Sequence, residues 1–558
     1  MLMFRAITLV FLLIIPISLF AQAPADTDNG LKAAEELFDQ GKNDDVIAKC
    51  KALIESNPSD RKAHDLLGQV YERIGEYEKA EKSYTEYLSL SKEAESERDI
   101  ASAMNNLAII YSKTGNYVES IEYMNQSIAK EKGFNNRNRL ASRYNNLGGI
   151  YKRMGRSLKA FKNYSKALKL YTETQNKSQL PLLYNNLGAI YDVFGQSKKA
   201  KELFDKSLEI ADQSSKTDIA VIYNNLGSHY KSVKDYDQAM DYYNKSLDIE
   251  KEYGNRPNFA MVTNNIGTVY FRKGNLDKAL ELFQAALKID EKLNIEQGIA
   301  IDKNNIGMVY REQKKYDEAI IQFQESIRLH EKFNQSFYAA GGHNNLGLTY
   351  KLKGKLDMAL THYNKSIKFY ESLRDKKREA AVYTNIGELY FNDKKDLSGA
   401  FRAYEKANQR YIQINDNVGV AYSSWWMGYI QELSGQYYPA RDYYEKAHAA
   451  YRLAKRKEVN VIKQFIQRIN RKILIAKQGG KTDKDMGLGN GTPSTHGGLG
   501  MDLDGLQDSD IYYLPPPVVE SVSDRSGIRG TKNKKRKGEA DGIRVEEELI
   551  LDLDREKS

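Results

Sequence analysis

The chain has 558 residues, 41% apolar and 28% charged, with a formal net charge of +9. That balance is ordinary for a soluble globular protein, and no apolar run after residue 20 is long enough to span a bilayer. Cys50 is the only cysteine, which excludes an intramolecular disulfide and makes a small buried packing residue the expected role.

The first element is "MLMFRAITLVFLLIIPISLFAQ". A short n-region ends at Arg5, an apolar run follows from Ala6 to Phe20, and small residues stand at Ala21 and Ala23. The run holds about fifteen residues and contains Pro16, whereas a spanning helix needs roughly 20. The spacing predicts a secretory signal over residues 1–21, a mature chain starting near Gln22, and an extracytoplasmic (periplasmic or secreted) protein with no stable membrane span after cleavage. No cysteine follows the apolar run, so a lipoprotein anchor is not expected.

From residue 31 onward the chain repeats itself. "YNNLGGIY" at Tyr144 returns as "YNNLGAIY" at Tyr184 and "YNNLGSHY" at Tyr223, and the first Asn of each phrase falls at 105, 145, 185, 224, 264, 304 and 344. A period of 40 residues, once 39, means a solenoid. Divergent copies start at Asp65 and Thr384, another surrounds Trp425 after a one-residue slip near Leu397, and a first unit spans 31–58. Each unit reads as two helices. In the unit at Tyr144 the first ends at Gly155, where a left-handed cap is wanted, and the second begins at Leu158. The organisation is one unit over 31–58, ten more over 61–456, a capping helix over 457–477 with an apolar stripe, and a flexible acidic tail over 478–558.

Leu147, Gly148, Tyr151, Gly155, Ala160, Tyr164 and Ala167 resemble the tetratricopeptide pattern in order and spacing, and the 40-residue form is similar to the repeats of kinesin light chains and G-protein-signalling modulators. The "LFAQ" ending of the leader resembles signals of Bacteroidota-like bacteria. The resemblance implies an all-α, right-handed α-solenoid of about eleven helix-turn-helix repeats with a C-terminal capping helix and a disordered tail, acting as a peptide or protein binder. Lys234 and Lys314 depart from it at the turn glycine, Ser120 and Gly399 at the alanine, and Trp425 and Trp426 at the asparagine pair.

At about 100° per residue, both asparagines of a pair face away from the second helix and towards the concave lining. Two roles fit them: an amide that holds a guest backbone, or a ladder in which each amide bonds its neighbour in the next unit. In the resembled family groove asparagines bind peptide backbone, which implies that role for Asn106, Asn146, Asn186, Asn225, Asn265, Asn305, Asn345 and Asn385. One turn further on, Lys152, Arg153, Lys231, Arg272, Arg311 and Lys351 are expected to make the groove net positive, against Asp192 and Glu312. Trp425 and Trp426 fit either an aromatic anchor at the groove's end or a seal beneath the last helix.

Seven histidines are scattered with no ligand spacing, and neither a nucleophile elbow, a phosphate loop nor HExxH is present, so neither an enzyme nor a metal or cofactor site is expected. In the tail, "YYLPPPVV" (Tyr512–Val519) is of polyproline type, "VEEELILDLD" (Val545–Asp554) is acidic and apolar, and "KNKKRK" (Lys532–Lys537) reads as a solvated charge run rather than a nucleic-acid contact. The expected partner is a protein or peptide with an extended acidic segment, and the chain's own tail is the one candidate the sequence supplies. The rival roles are the sensor half of an envelope signalling system and a structural envelope component.

Overall fold

The computed structural model describes residues 27–211 and 215–477; the leader and the acidic tail lie outside them. Among the described residues there are eleven helix pairs, one final helix and no strand. Unit 1 pairs Thr27–Asp39 with Asn43–Ser56, unit 2 Arg61–Ile74 with Tyr77–Glu93, unit 3 Glu97–Thr114 with Tyr117–Gly133, and unit 4 Arg137–Arg153 with Ser157–Glu173. Unit 5 pairs Leu180–Val193 with Ser197–Glu209, unit 6 Lys216–Ser232 with Tyr236–Glu252, unit 7 Arg256–Arg272 with Leu276–Lys292, and unit 8 Glu296–Glu312 with Tyr316–Lys332. Unit 9 pairs Ser336–Leu352 with Leu356–Leu373, unit 10 Lys376–Glu388 with Leu397–Gln413, and unit 11 Asn417–Leu433 with Tyr437–Leu453; Val459–Lys477 closes the array. The first helix of each pair is inner and the second outer.

The repeated "NNLG" glycine has a packing reason. A Cβ on Gly148 would come within 2.6 Å of the Tyr164 ring, and Gly68, Gly227, Gly267, Gly307 and Gly347 are placed alike against Tyr84, Tyr243, Phe283, Phe323 and Tyr363. The aromatic ring of the outer helix lies directly on the backbone of the inner one, which only a residue without a Cβ permits. Unit 3 solves the same contact differently. It has Ala108 at the glycine position and Met124 at the ring position, both fully buried. A flexible thioether yields the space that the methyl takes. Met124→Tyr alone is therefore expected to overpack unit 3 by about 1 to 3 kcal/mol, and Ala108→Gly in the same chain to recover a good part of it. A double-mutant cycle in thermal unfolding measures this coupling.

The slip near Leu397 also has a structural origin. Leu389–Asp393 is a π-helical turn after the inner helix of unit 10, with Lys394 N donating to Leu389 O at 3.0 Å. One extra residue is absorbed in a wide turn, so the spacing lengthens without shifting the inward face.

Consecutive units wind far enough to bring the chain back onto itself. Asn43 Nδ2 donates to Tyr253 O at 3.0 Å, Gln297 Nε2 to Lys113 O at 3.1 Å, and Gln335 Nε2 to the Tyr117 hydroxyl at 3.1 Å. The turn glycines of units 1 to 4, Gly41, Gly75, Gly115 and Gly155, rest on the loops of units 6 to 9. A Cβ on them would meet Tyr253 Cα at 3.1 Å, Pro257 Cγ at 2.8 Å, Phe333 Cδ1 at 2.5 Å and Phe337 Cβ at 3.1 Å respectively. All four are left-handed, with φ from 72° to 89°. Gly274, Gly354 and Gly435 share that φ but would meet nothing within 4 Å, and Lys234 and Lys314 take the same turn at φ 65° and 62°. Among these turns, the glycine is required twice over where one superhelical turn touches the next.

Candidate functional site

The inner face was the expected binding surface, and its asparagines are joined in a ladder. The second Asn of each unit donates from Nδ2 to Oδ1 of the first Asn one unit earlier: Asn146 to Asn105 at 2.8 Å, Asn186 to Asn145 at 3.1 Å, Asn265 to Asn224 at 2.9 Å, Asn305 to Asn264 at 2.8 Å, Asn345 to Asn304 at 3.0 Å and Asn385 to Asn344 at 3.0 Å. In unit 2 Asp65 takes the acceptor's place and receives Asn106 Nδ2 at 2.7 Å. Burial lifts the Asp65 carboxyl to about 6, while the bonds from Gln69 and Asn106 hold it down.

The ladder engages one amide hydrogen bond of each second asparagine except Asn225. Asn225, Asn265, Asn305, Asn345 and Asn385 are buried, and only Asn106, Asn146 and Asn186 remain partly exposed. The buried amides thus lie in units 6 to 10 and the partly exposed ones in units 3 to 5. One rung is missing. Asn185 is fully buried with neither side-chain atom hydrogen-bonded, and no bond joins it to Asn225. The gap falls at the single 39-residue spacing.

The basic residues divide in the same way. Lys231 and Arg311 are buried, Arg311 with Glu312 at 3.1 Å, while Lys351 lies 3.6 Å from Glu388 and 3.9 Å from Asp393. Arg272 is half-buried. Lys113 is held by Glu72 at 2.9 Å. Lys152 and Arg153 differ: both are half-buried, and among the described residues neither has an acidic partner. Burial and then the neighbouring Arg153 charge push the Lys152 ammonium down to about 8.

Of the two tryptophans, Trp425 packs beneath the final helix and Trp426 packs against unit 10. Trp425 is buried, stacks on Tyr429 at 5.6 Å and meets Phe465 of the final helix edge-on at 5.6 Å. Trp426 stacks on Tyr404 at 5.2 Å and meets Phe391 of the π-helical turn at 5.0 Å. Each indole has one stacked aromatic partner, and Trp426 is half-buried.

Folding also joins titratable groups that the sequence separates. His229 Nδ1 lies 2.9 Å from both carboxylate oxygens of Asp192, in a buried pair. His343 Nε2 lies 3.2 Å from Glu331 Oε1, and its Nδ1 3.1 Å from His362 Nδ1. Among the described residues no three His, Cys, Asp or Glu are placed to hold a metal ion. Asp290 and Asp302, absent from every sequence expectation, form a buried acidic pair. The sequence signal is at Asp290, an acid in the packing slot occupied by Tyr171, Tyr370, Tyr411 and Tyr451 in other units.

A tetratricopeptide repeat family model matches residues 59–132, 139–213, 218–292, 258–332, 299–372 and 338–413. Solved structures similar in fold include BtubC (BKLC) from P. vanneervenii, with 20% identity over 39% of this chain and 91% of that one and a TM-score of 0.33. A Rap protein complexed with Competence and Sporulation Factor matches at 14% identity over 63% of this chain and 99% of that one, TM-score 0.45. The human IFIT1 dimer with PPP-AAAA matches at 19% identity over 70% and 90%, TM-score 0.41. No match was found among curated proteins. A helical-repeat scaffold of this kind is suited to binding protein. The matched family model covers more than half of the chain, and the helix pairs carry its glycine–aromatic contact in unit after unit: the chain belongs to the tetratricopeptide repeat family.

Proposed function

We propose that the protein is an exported scaffold that binds an extended acidic protein segment on the accessible part of its inner face, in units 3 to 5. The observation that carries this reading is the Lys152–Arg153 pair. Two adjacent cations without an acidic partner repel each other in a half-buried site, and an anionic guest would relieve that repulsion. The partly exposed oxygens and remaining amide protons of Asn106, Asn146 and Asn186 line the same stretch and can bond a guest backbone without leaving the ladder.

The acidic-apolar segment Val545–Asp554 supplies a probe of the right chemistry. A labelled VEEELILDLD peptide, titrated into the full chain, is expected to bind with an affinity that falls from 50 to 200 mM salt. Lys152→Gln with Arg153→Gln should weaken it about tenfold and flatten the salt dependence, since steering charge acts chiefly on association. Equal binding by both chains would remove the pair from the site. Export rests on the leader sequence alone, and amino-terminal sequencing of the native protein is expected to begin near Gln22; an intact Met1 would overturn it.

A further inference from the structure

The contact between superhelical turns has a regular inner lining. Three residues before each outer-helix loop that touches the first turn stands a buried ionisable side chain: Glu250 before Tyr253, Asp290 before Leu293 and His330 before Phe333. Asp290 is met by Asp302 from the next inner helix, and Asp302 accepts from Asn264 Nδ2 while its second oxygen has no partner. Across the contact Asp290 faces Tyr77 of unit 2, and Glu291 adds a further negative charge beside Asp302. Behind Tyr77 lie Lys113 and Arg153, with Glu72 holding Lys113. Glu250 accepts from Asn258 Nδ2 at 2.9 Å, has one oxygen unpartnered, and faces Arg73 and Lys113 from the first turn.

We propose that the contact between the two superhelical turns is a latch, closed while the Asp290–Asp302 pair and Glu250 carry protons and released when they ionise, with the array yielding at the joint of units 5 and 6. Two carboxylates side by side in a water-excluded space cannot both be charged without loss, and the favourable escape is to part the turns and hydrate them. Arg73 and Lys113 oppose this at Glu250 but do not reach balance, because burial remains the larger effect there. The joint of units 5 and 6 is the place to yield because it alone, from unit 2 to unit 10, lacks its asparagine rung.

Burial pushes Glu250 up to about 7 and Asp290 up to about 8, and holds Asp302 well above the usual carboxylate range. These groups are raised above their unfolded values, so the stability they confer is complete below pH 4 and is lost as pH rises through 7 to 8. His330 is pushed down to about 4 by burial and stays neutral across that window. The latch does not depend on what binds the inner face, and its test uses no ligand.

Hydrogen exchange of the full chain, corrected for intrinsic rates, reads the latch at residues 112–117 and 253–259. The Asp290 carboxyl, ionising at about 8, by itself predicts that protection there falls about tenfold from pH 7 to pH 9, and Glu250 adds to that fall, while the outer helices of units 10 and 11 keep theirs. Asp290→Asn with Asp302→Asn retains the acceptor for Asn264 and should remove the pair's share of the fall, leaving that of Glu250. Unchanged protection in the wild type, or an equal fall in the variant, would overturn the latch. Should the double variant not fold, the wild type decides alone: loss confined to the seam supports the latch, and uniform loss along the array overturns it.

Discussion

Gly115→Ala is expected to destabilise units 3 and 8 together, by about 2 to 5 kcal/mol, while Gly274→Ala costs about 1 to 2 kcal/mol and affects unit 7 alone. Both residues sit in the left-handed region, at φ 89° and 80°, so each substitution carries the same backbone penalty. They differ in what surrounds them. A methyl on Gly115 would lie 2.5 Å from Phe333 Cδ1 and 3.0 Å from Gln297 Nε2, whereas a methyl on Gly274 meets nothing. Phe333 cannot swing aside freely, because its loop is tied through Gln335 to Tyr117. The excess of the first substitution over the second therefore isolates the contact between superhelical turns. Long repeat arrays do not unfold as one unit, so the readout is local hydrogen exchange rather than a single melting midpoint. Equal losses at the two positions, or loosening of unit 3 without unit 8, would show that the turns do not support each other in solution.

The repeat and its helix pairs were legible in the sequence because they rest on local periodicity. Gly148 and Tyr164 stand 16 residues apart in one unit, and the same two-residue contact recurs at a 40-residue period. The seam was not legible. Tyr117 and Gln335 are 218 residues apart, and whether they meet depends on small rotations summed over five joints, which no window of sequence encodes. The same holds for the inner face. Helical rotation correctly turns Asn145 and Asn146 away from the outer helix, but whether an amide there reaches a guest or the next unit depends on the angle between units. Lys231 and Arg311 were expected in an open groove for the same reason, and both are buried. Asp290 carried a usable signal, an acid where other units place tyrosine, yet its meaning depends on Asp302 arriving from the following helix.

Asn265→Ala is expected to lower local stability and Asn225→Ala to leave it unchanged or slightly raised, although the two asparagines occupy the same register in adjacent units. Asn265 donates to Asn224 at 2.9 Å, so its removal strands a buried acceptor, at about 1 to 3 kcal/mol. Alanine is the better helix former and returns about 0.5 kcal/mol of that. Asn225 has no rung to lose, because Asn185 opposite it is without a partner, so only the helix-forming gain remains. Exchange protection of the Thr263 to Val269 amides against that of the Ile222 to Ser228 amides measures the difference. A ladder also explains why the chain tolerates a mediocre helix former so often: each asparagine that weakens its own helix fixes the rotation between two units, and the first Asn of one unit is of use only beside the second Asn of the next. Removing every rung on one side of the unit 5–6 joint should then loosen the superhelical winding, and with it the seam, before any single helix melts. Equal losses at Asn265 and Asn225 would mean that the amides act separately and that winding is set by apolar packing between the outer helices instead.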